Sequence, residues 1–257
     1  MNEISLETPA LFSVRALRKK FRNGFEGAAG IDLDIYKGEC LIIAGSNGSG
    51  KTLLMRMLAG LTEPSGGTIL FQGKPLSQWG NKLRPLIGLV FQDPDAQFIG
   101  ETVEEDIRFG PENLKLEKPE IEKRLNEVLE RLDLKQKNDS SPHRLSGGEK
   151  RRLAIAGVLA MGCETVILDE PFANLDWPGV IQVLKMIQDL KTRGSTLLIL
   201  THELEKVLAL ADRLVILEKG KIRDSGDPEE VLERLKKDWG VRDPRHSYKS
   251  ASDCSWL

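Results

Sequence analysis

The segment Gly45-Ser46-Asn47-Gly48-Ser49-Gly50-Lys51-Thr52 spaces its glycines, lysine and threonine as G-x-x-x-x-G-K-[ST]. Glycines at such positions let successive backbone N–H groups point inward and approach phosphate oxygens with no Cβ in the way. A helix N-terminus behind the loop adds the positive end of its dipole. Lys51 then reaches β- and γ-phosphates and Thr52 offers a hydroxyl to Mg²⁺. The chemistry expected is the binding of a nucleoside triphosphate. A second candidate is the pair Asp169-Glu170, which closes the apolar run Thr165–Leu168. At the C-terminal end of a strand in a doubly wound sheet, such acids face the ligand crevice. Asp169 is expected in the Mg²⁺ shell, through water, and Glu170 beside the attacking water. A third is Leu145-Ser146-Gly147-Gly148-Glu149, ahead of a basic and then apolar stretch. Ser146 and Glu149 fit a capping box, yet each glycine in a first helical turn costs about 0.5–1 kcal/mol relative to alanine. Bare backbone there suits an approaching phosphate equally, because capping and anion binding share one geometry.

These residues need elements to hold them. Ile31–Ile35 alternates apolar and acidic residues, the pattern of a strand with one wet face, and Tyr36–Glu39 reads as a turn. Cys40–Ala44 is a continuous apolar run of buried-strand type, so the Gly-rich loop lies between a strand and a helix over Thr52–Leu61. A short strand is predicted at Thr68–Phe71, with a turn at Gly73. In Pro119–Leu134 the residues Ile121, Leu125, Val128, Leu129 and Leu132 fall at helical spacing, with Lys, Arg and Glu on the other face. A polar link, Lys135–Arg144, leads to a second helix, Glu149–Met161. Strand Thr165–Leu168, helix Val180–Lys191, strand Ser195–Leu200, helix Glu203–Leu210, strand Arg213–Leu217 and helix Glu229–Lys237 complete the pattern. Strands alternating with such helices indicate a parallel sheet covered on both faces, carrying a helical insertion.

Composition narrows the function further. The 257 residues carry 37 Lys+Arg against 39 Asp+Glu, a net charge of −2, which gives no broad basic field for a nucleic acid. The longest uncharged stretches, such as Leu153–Cys163, fall far below the roughly 18 residues of a membrane span. Met1–Ala10 holds Glu3 and Glu7 and no apolar run, so it does not read as a secretion signal. Cys40, Cys163 and Cys254 form no CxxC pair and offer neither a disulfide framework nor a zinc site. Cys40 and Cys163 adjoin apolar runs and are expected in the core. His143 and His246 belong to no motif and are expected at the surface.

Leu145–Glu149 resembles the LSGGQ signature of ATP-binding-cassette (ABC) ATPases, with Glu149 in the usual Gln position. Phe21 resembles the A-loop aromatic that stacks on adenine, Gln92 the Q-loop glutamine, Asn174-Leu175-Asp176 the D-loop and His202 the switch histidine. The resemblance runs from about Leu11 to Glu230. It implies an α/β fold: a P-loop NTPase (RecA-like) core with an N-terminal antiparallel β subdomain and a helical signature subdomain. The implied division is an ATPase domain over 1–228, its helical insertion at about 97–161, and a C-terminal helix and tail over 229–257. ATP is expected on Phe21, Gly45, Ser46, Asn47, Gly48, Ser49, Gly50, Lys51, Thr52 and Leu53, with Mg²⁺ on Thr52, Gln92 and Asp169. Many relatives carry Ser or Thr where this chain has Leu53, which removes a hydroxyl and leaves the backbone N–H. Glu170, His202 and Gln92 are implied as catalytic, and Asp176 as the D-loop acid. Ser146, Gly147, Gly148 and Glu149 are implied to cover the nucleotide of a second subunit, so that one chain is half of a two-site dimer.

Phe91-Gln92-Asp93-Pro94-Asp95-Ala96-Gln97-Phe98, continued by Glu101–Pro111, resembles the ATPases of energy-coupling-factor importers, including the cobalt and nickel type. Gln97 would then belong to a short helix bordering the groove for a membrane subunit. The resemblance implies a second ATPase subunit (identical or a paralogue), an integral membrane coupling subunit and a substrate-binding membrane subunit. The chain would sit on the cytoplasmic face of the membrane, with no nucleic acid expected. A soluble ABC ATPase working on DNA or ribosomes is the competing reading. Against it, Gln92 and Ser146 are too close for a long coiled coil, and the chain holds one cassette. A P-loop kinase or GTPase leaves Leu145–Glu149 and His202 without a role. Trp239 and Trp256, in an otherwise polar tail, are expected to help pack a subunit interface.

Overall fold

A computed structural model describes residues 9–245. Cys254, His246 and Trp256 lie outside the described residues. The strands are β1 (Phe12–Lys20), β2 (Glu26–Ile35), β3 (Cys40–Ala44), β4 (Gly66–Phe71), β5 (Lys74–Pro75), β6 (Ile87–Val90), β7 (Thr165–Asp169), β8 (Thr196–Thr201), β9 (Arg213–Glu218) and β10 (Lys221–Gly226). The helices are α1 (Lys51–Leu58), α2 (Val103–Asn113), α3 (Lys118–Arg131), α4 (Gly147–Ala160), α5 (Trp177–Thr192), α6 (Leu204–Val207) and α7 (Pro228–Glu233).

Two sheets result. Strands in the order β2-β1-β4-β5 form an antiparallel sheet, and those in the order β10-β9-β3-β8-β7-β6 form a six-stranded one. Within the second, β3, β6, β7, β8 and β9 are parallel and β10 runs antiparallel on the edge. The continuous apolar runs of β3, β7, β8 and β9 follow from burial on both faces. Cys40, Ile42 and Ala44 of β3 face one core, shared with α2 to α5, whereas Leu41 and Ile43 face a second, shared with α1 and the antiparallel sheet. That alternation is the period of two expected of a strand sandwiched between layers. Helices α2, α3 and α4 all fall in the stretch read as an insertion.

The elements depart from the sequence reading mostly at their ends and at the sheet edges. Strand β1 has no counterpart in that reading, and β2 begins at Glu26 rather than Ile31. Strands β6 and β10 and helix α2 likewise lie where the sequence pattern predicts no element. The helix expected over Glu203–Leu210 is α6 followed by a 3₁₀ turn at Leu208–Leu210. The one expected over Glu229–Lys237 stops at Glu233, with a 3₁₀ turn at Lys237–Trp239. Trp239 is half-buried and packs against the same core as Val231 and Val241 of its own chain. Among the described residues no helix is long and apolar enough to cross a membrane.

Candidate functional site

The loop Gly45–Gly50 joins the C-terminal end of β3 to α1, so its N–H groups lie at the open end of the parallel sheet. Gly50 is the N-cap of α1 at φ 107°, a left-handed conformation, and a Cβ there would stand 2.6 Å from the Gly27 carbonyl oxygen. Only glycine meets both demands. A cleft of about 260 Å³ opens over the loop, bounded by Asn47 to Leu53, Gln92, Glu170, Phe21, Phe25 and Gly27. Phe21 and Phe25 stack with ring centroids 6.1 Å apart, on either side of the Asn23-Gly24 turn. Both are exposed, and Leu53 packs against Gly27 beside them. Phosphate donors and a flat apolar platform in one cleft match a nucleotide's two chemistries.

Lys51 and Glu170 line this cleft, and Asp169 and His202 contact its lining residues without lining it themselves. Lys51 is buried, and its Nζ donates to the carbonyls of Gly45 (2.6 Å) and Ser46 (3.3 Å). It stands 3.3 Å from Glu170 Oε1. That distance makes an ion pair, but no aligned hydrogen bond reaches Oε1, so the carboxylate keeps acceptor capacity. Glu170 Oε2 faces His202 Nδ1 at 3.0 Å, and the His202 ring is half exposed. The backbone of Glu170 lies at φ 47°. A non-glycine held there costs about 1–3 kcal/mol, a strain typical of functional positions. The Thr52 hydroxyl donates to Asp169 Oδ2 at 2.7 Å, joining α1 to β7 across the intervening β8. Burial pushes the Asp169 carboxyl above its ordinary range, the Thr52 bond pulls the other way, and Oδ1 is buried without a partner. Among the described residues no group of His, Cys, Asp and Glu could hold a metal ion alone. A hydroxyl beside a carboxylate with one free oxygen does fit Mg²⁺, which takes a few protein oxygens and fills its shell with phosphates and water.

Ser146, Gly147, Gly148, Glu149 and Asp176 do not line this cleft. They gather elsewhere: Gly147 lies against Leu175 and Asn174, and Gly148 against Gly179. The capping box is made, with Ser146 N donating to Glu149 Oε2 (2.8 Å) and Glu149 N to Ser146 Oγ (3.3 Å). Asp176 caps α5 by accepting from Gly179 N at 3.0 Å. A Cβ on Gly147 or Gly148 would meet its nearest neighbours at 3.4 Å, an ordinary contact. The chain's own packing therefore does not demand glycine at either position. Two residues of the region escaped the sequence reading. Phe25 had a signal, since Asn-Gly between apolar residues marks a hairpin that would bring it beside Phe21. Arg151, buried under the Gln92 loop, had none, because a basic residue in a helix ordinarily reads as solvated.

Residues 28–173 match the ABC transporter family. A putative ABC transporter ATP-binding protein of Halobacterium salinarum is 43% identical over 215 residues, 84% of this chain and 92% of that one. The energy-coupling factor transporter ATP-binding protein EcfA of Methanocaldococcus jannaschii is 41% identical over 216 residues, 83% of this chain and 77% of that one. Among solved structures, cbiO1 from Clostridium perfringens, described as part of the ABC transporter complex cbiONQ, matches with a TM-score of 0.80. It is 38% identical and covers 87% of this chain and 91% of its own.

Proposed function

The chain belongs to the ABC transporter family, and from that membership we propose that it is the ATP-hydrolysing subunit of an energy-coupling-factor importer for a vitamin or transition-metal ion such as cobalt. It is an ATPase. The observation that carries the residue assignments is the meeting of Lys51 with Glu170, which both line the cleft, and of Thr52 on the same cleft with the buried Asp169 behind it. Loop N–H groups and Lys51 would bind the β- and γ-phosphates, and the Phe21–Phe25 platform would take the adenine. Thr52, Asp169 and Gln92 would hold Mg²⁺, which supplies charge neutralisation to the phosphates when bound. Nucleotide phosphates would draw Lys51 from the Gly45 and Ser46 carbonyls. Glu170 would then keep His202 as its neighbour and use Oε1 to accept a proton from water. Ser146 and Gly148 would serve the nucleotide of a second ATPase subunit, identical or paralogous, and Asp176 would lie at the junction. Membrane coupling and substrate-binding subunits complete the proposed assembly, with this chain on the cytoplasmic face. The names of the relatives support this reading over one in which the chain works on nucleic acid.

The test is hydrolysis of Mg-ATP by the purified chain, alone and with its companion subunits. Glu170→Gln should slow turnover by about 10²–10⁴-fold, the contribution of a general base, and leave ATP binding intact. Undiminished turnover in that variant would refute the assignment.

A further inference from the structure

Arg151 has the largest fully buried side chain among the described residues. It lies on α4, a turn beyond the exposed Ser146 end. Its Nη1 donates to the Phe91 carbonyl (2.6 Å) and its Nη2 to the Gln92 carbonyl (3.0 Å), while Nε has no partner. A cation is costly to bury. Here it is bonded to two consecutive carbonyls, so it fixes the path of the loop backbone rather than any side chain. Lys150, its neighbour, pairs with Asp95 at 2.7 Å further along the same loop. From the other side Gln97 Oε1 accepts from Phe91 N (2.7 Å) and its Nε2 donates to the Leu89 carbonyl (3.1 Å). The peptide units on which Gln92 rides are clamped between α4 and the turn at Pro94–Ala96.

Gln92 borders this chain's own cleft, whereas no residue of the first turn of α4 lines it. We propose that Arg151 is a positioning residue that links the two nucleotide sites of a dimer. A shift of α4 by a phosphate docked on its N-terminus is transmitted, through Arg151, to the carbonyls of Phe91 and Gln92. The nucleotide held by the partner thereby adjusts Gln92 against the nucleotide held here. Such a link is a coupling free energy and acts in both directions. This inference rests on the two-site reading above.

The experiment follows hydrolysis by the full chain against Mg-ATP concentration for the unmodified protein, Arg151→Met and Arg151→Lys. Methionine keeps bulk and loses both bonds; lysine keeps the charge but cannot span two carbonyls. A Hill coefficient of about 2 in the unmodified chain, the limit for two sites, should fall toward 1 in Arg151→Met and less far in Arg151→Lys. Nucleotide binding by the dilute single chain and cooperative thermal unfolding are measured alongside. A merely structural role would lower the unfolding temperature and leave the Hill coefficient unchanged, and that result overturns the proposal. Should the methionine variant not fold, the lysine variant decides by the same criterion. No hydrolysis, or a coefficient near 1, in the unmodified chain both alone and with its companion subunits overturns the two-site reading itself, a failure distinct from that of Arg151.

Discussion

Glu149 is the residue at which this chain departs from its family's signature, and its contacts say what the departure does. Its carboxylate folds back on Ser146 N and faces Lys137 Nζ at 3.3 Å. The backbone bond from Ser146 holds it below the usual carboxylate range, so it stays charged at neutral pH. Glutamine could accept the same N–H, as a capping box requires, without the charge. A carboxylate in the first turn of α4 favours the helix but opposes a γ-phosphate arriving there. Charges at helix termini contribute about 0.3–1 kcal/mol, so Glu149→Gln should lower the Mg-ATP concentration needed for dimer closure by about two- to fivefold at low salt. Light scattering of the Glu170→Gln background, with and without the second substitution, reads this directly; an unchanged midpoint means that no phosphate reaches Glu149. At this scale the sequence was most legible where chemistry imposes spacing. Lys51, Thr52, Asp169 and Glu170 were all readable and do meet. Arg151 was not, because its role depends on which backbone lies beneath it.

Among the elements, α4 carries the most demands. It presents the signature at one end, holds the Gln92 loop through Lys150 and Arg151, and buries Leu153, Ala154, Ile155, Ala156 and Val158 against several neighbours. Its seat on the main sheet is set by one small residue. A Cβ at Gly88 of β6 would stand 1.9 Å from Val158 Cγ1. Gly88→Ala must therefore push α4 away or distort β6, and overpacking of that kind costs about 1–3 kcal/mol. Urea unfolding should report this loss, and adding Val158→Ala should recover part of it; a neutral Gly88→Ala would mean that α4 sits more loosely than described. The same packing explains which elements could be read in advance. Strands β3, β7, β8 and β9 are buried on both faces and appear as unbroken apolar runs. Strand β1 buries Phe12 and Val14 and then Leu17, because a register shift past Val14, with Ala16 at φ 47°, breaks the alternation. Strand β10 has Ile222 as its single large apolar residue and β6 is four residues long, so neither carries enough pattern. Helix α2 contains Gly110 and Pro111, which hid it, although its Thr102–Glu105 capping box was there to be read.

Across the whole molecule, the phosphate cleft and the Ser146 end of α4 are separate surfaces of one chain. Asn174 and Asp176 are exposed beside that helix end, and Trp177, 76% exposed, continues the same surface. No described contact carries Ser146 or Gly148 to the loop of residues 45–52; on the two-site reading, each chain would need the helix end of a second. Two copies related by a twofold axis could satisfy both surfaces at once, each helix end meeting the other's cleft. The consequence is genetic as well as geometric. Lys51→Ala removes the phosphate-binding ammonium from one cleft, and Ser146→Arg blocks the helix end that serves the other. Each variant alone should be inactive, since both sites of its dimer are damaged. Mixed together, they form a dimer in which the intact cleft of the Ser146→Arg chain faces the intact helix end of the Lys51→Ala chain. Hydrolysis should return on mixing, in proportion to the mixed dimer measured by native mass spectrometry. A mixture that stays inactive while both chains fold would exclude self-pairing and assign the second half of the site to a paralogous subunit, whose addition to the Lys51→Ala chain should then restore turnover at the partner's cleft.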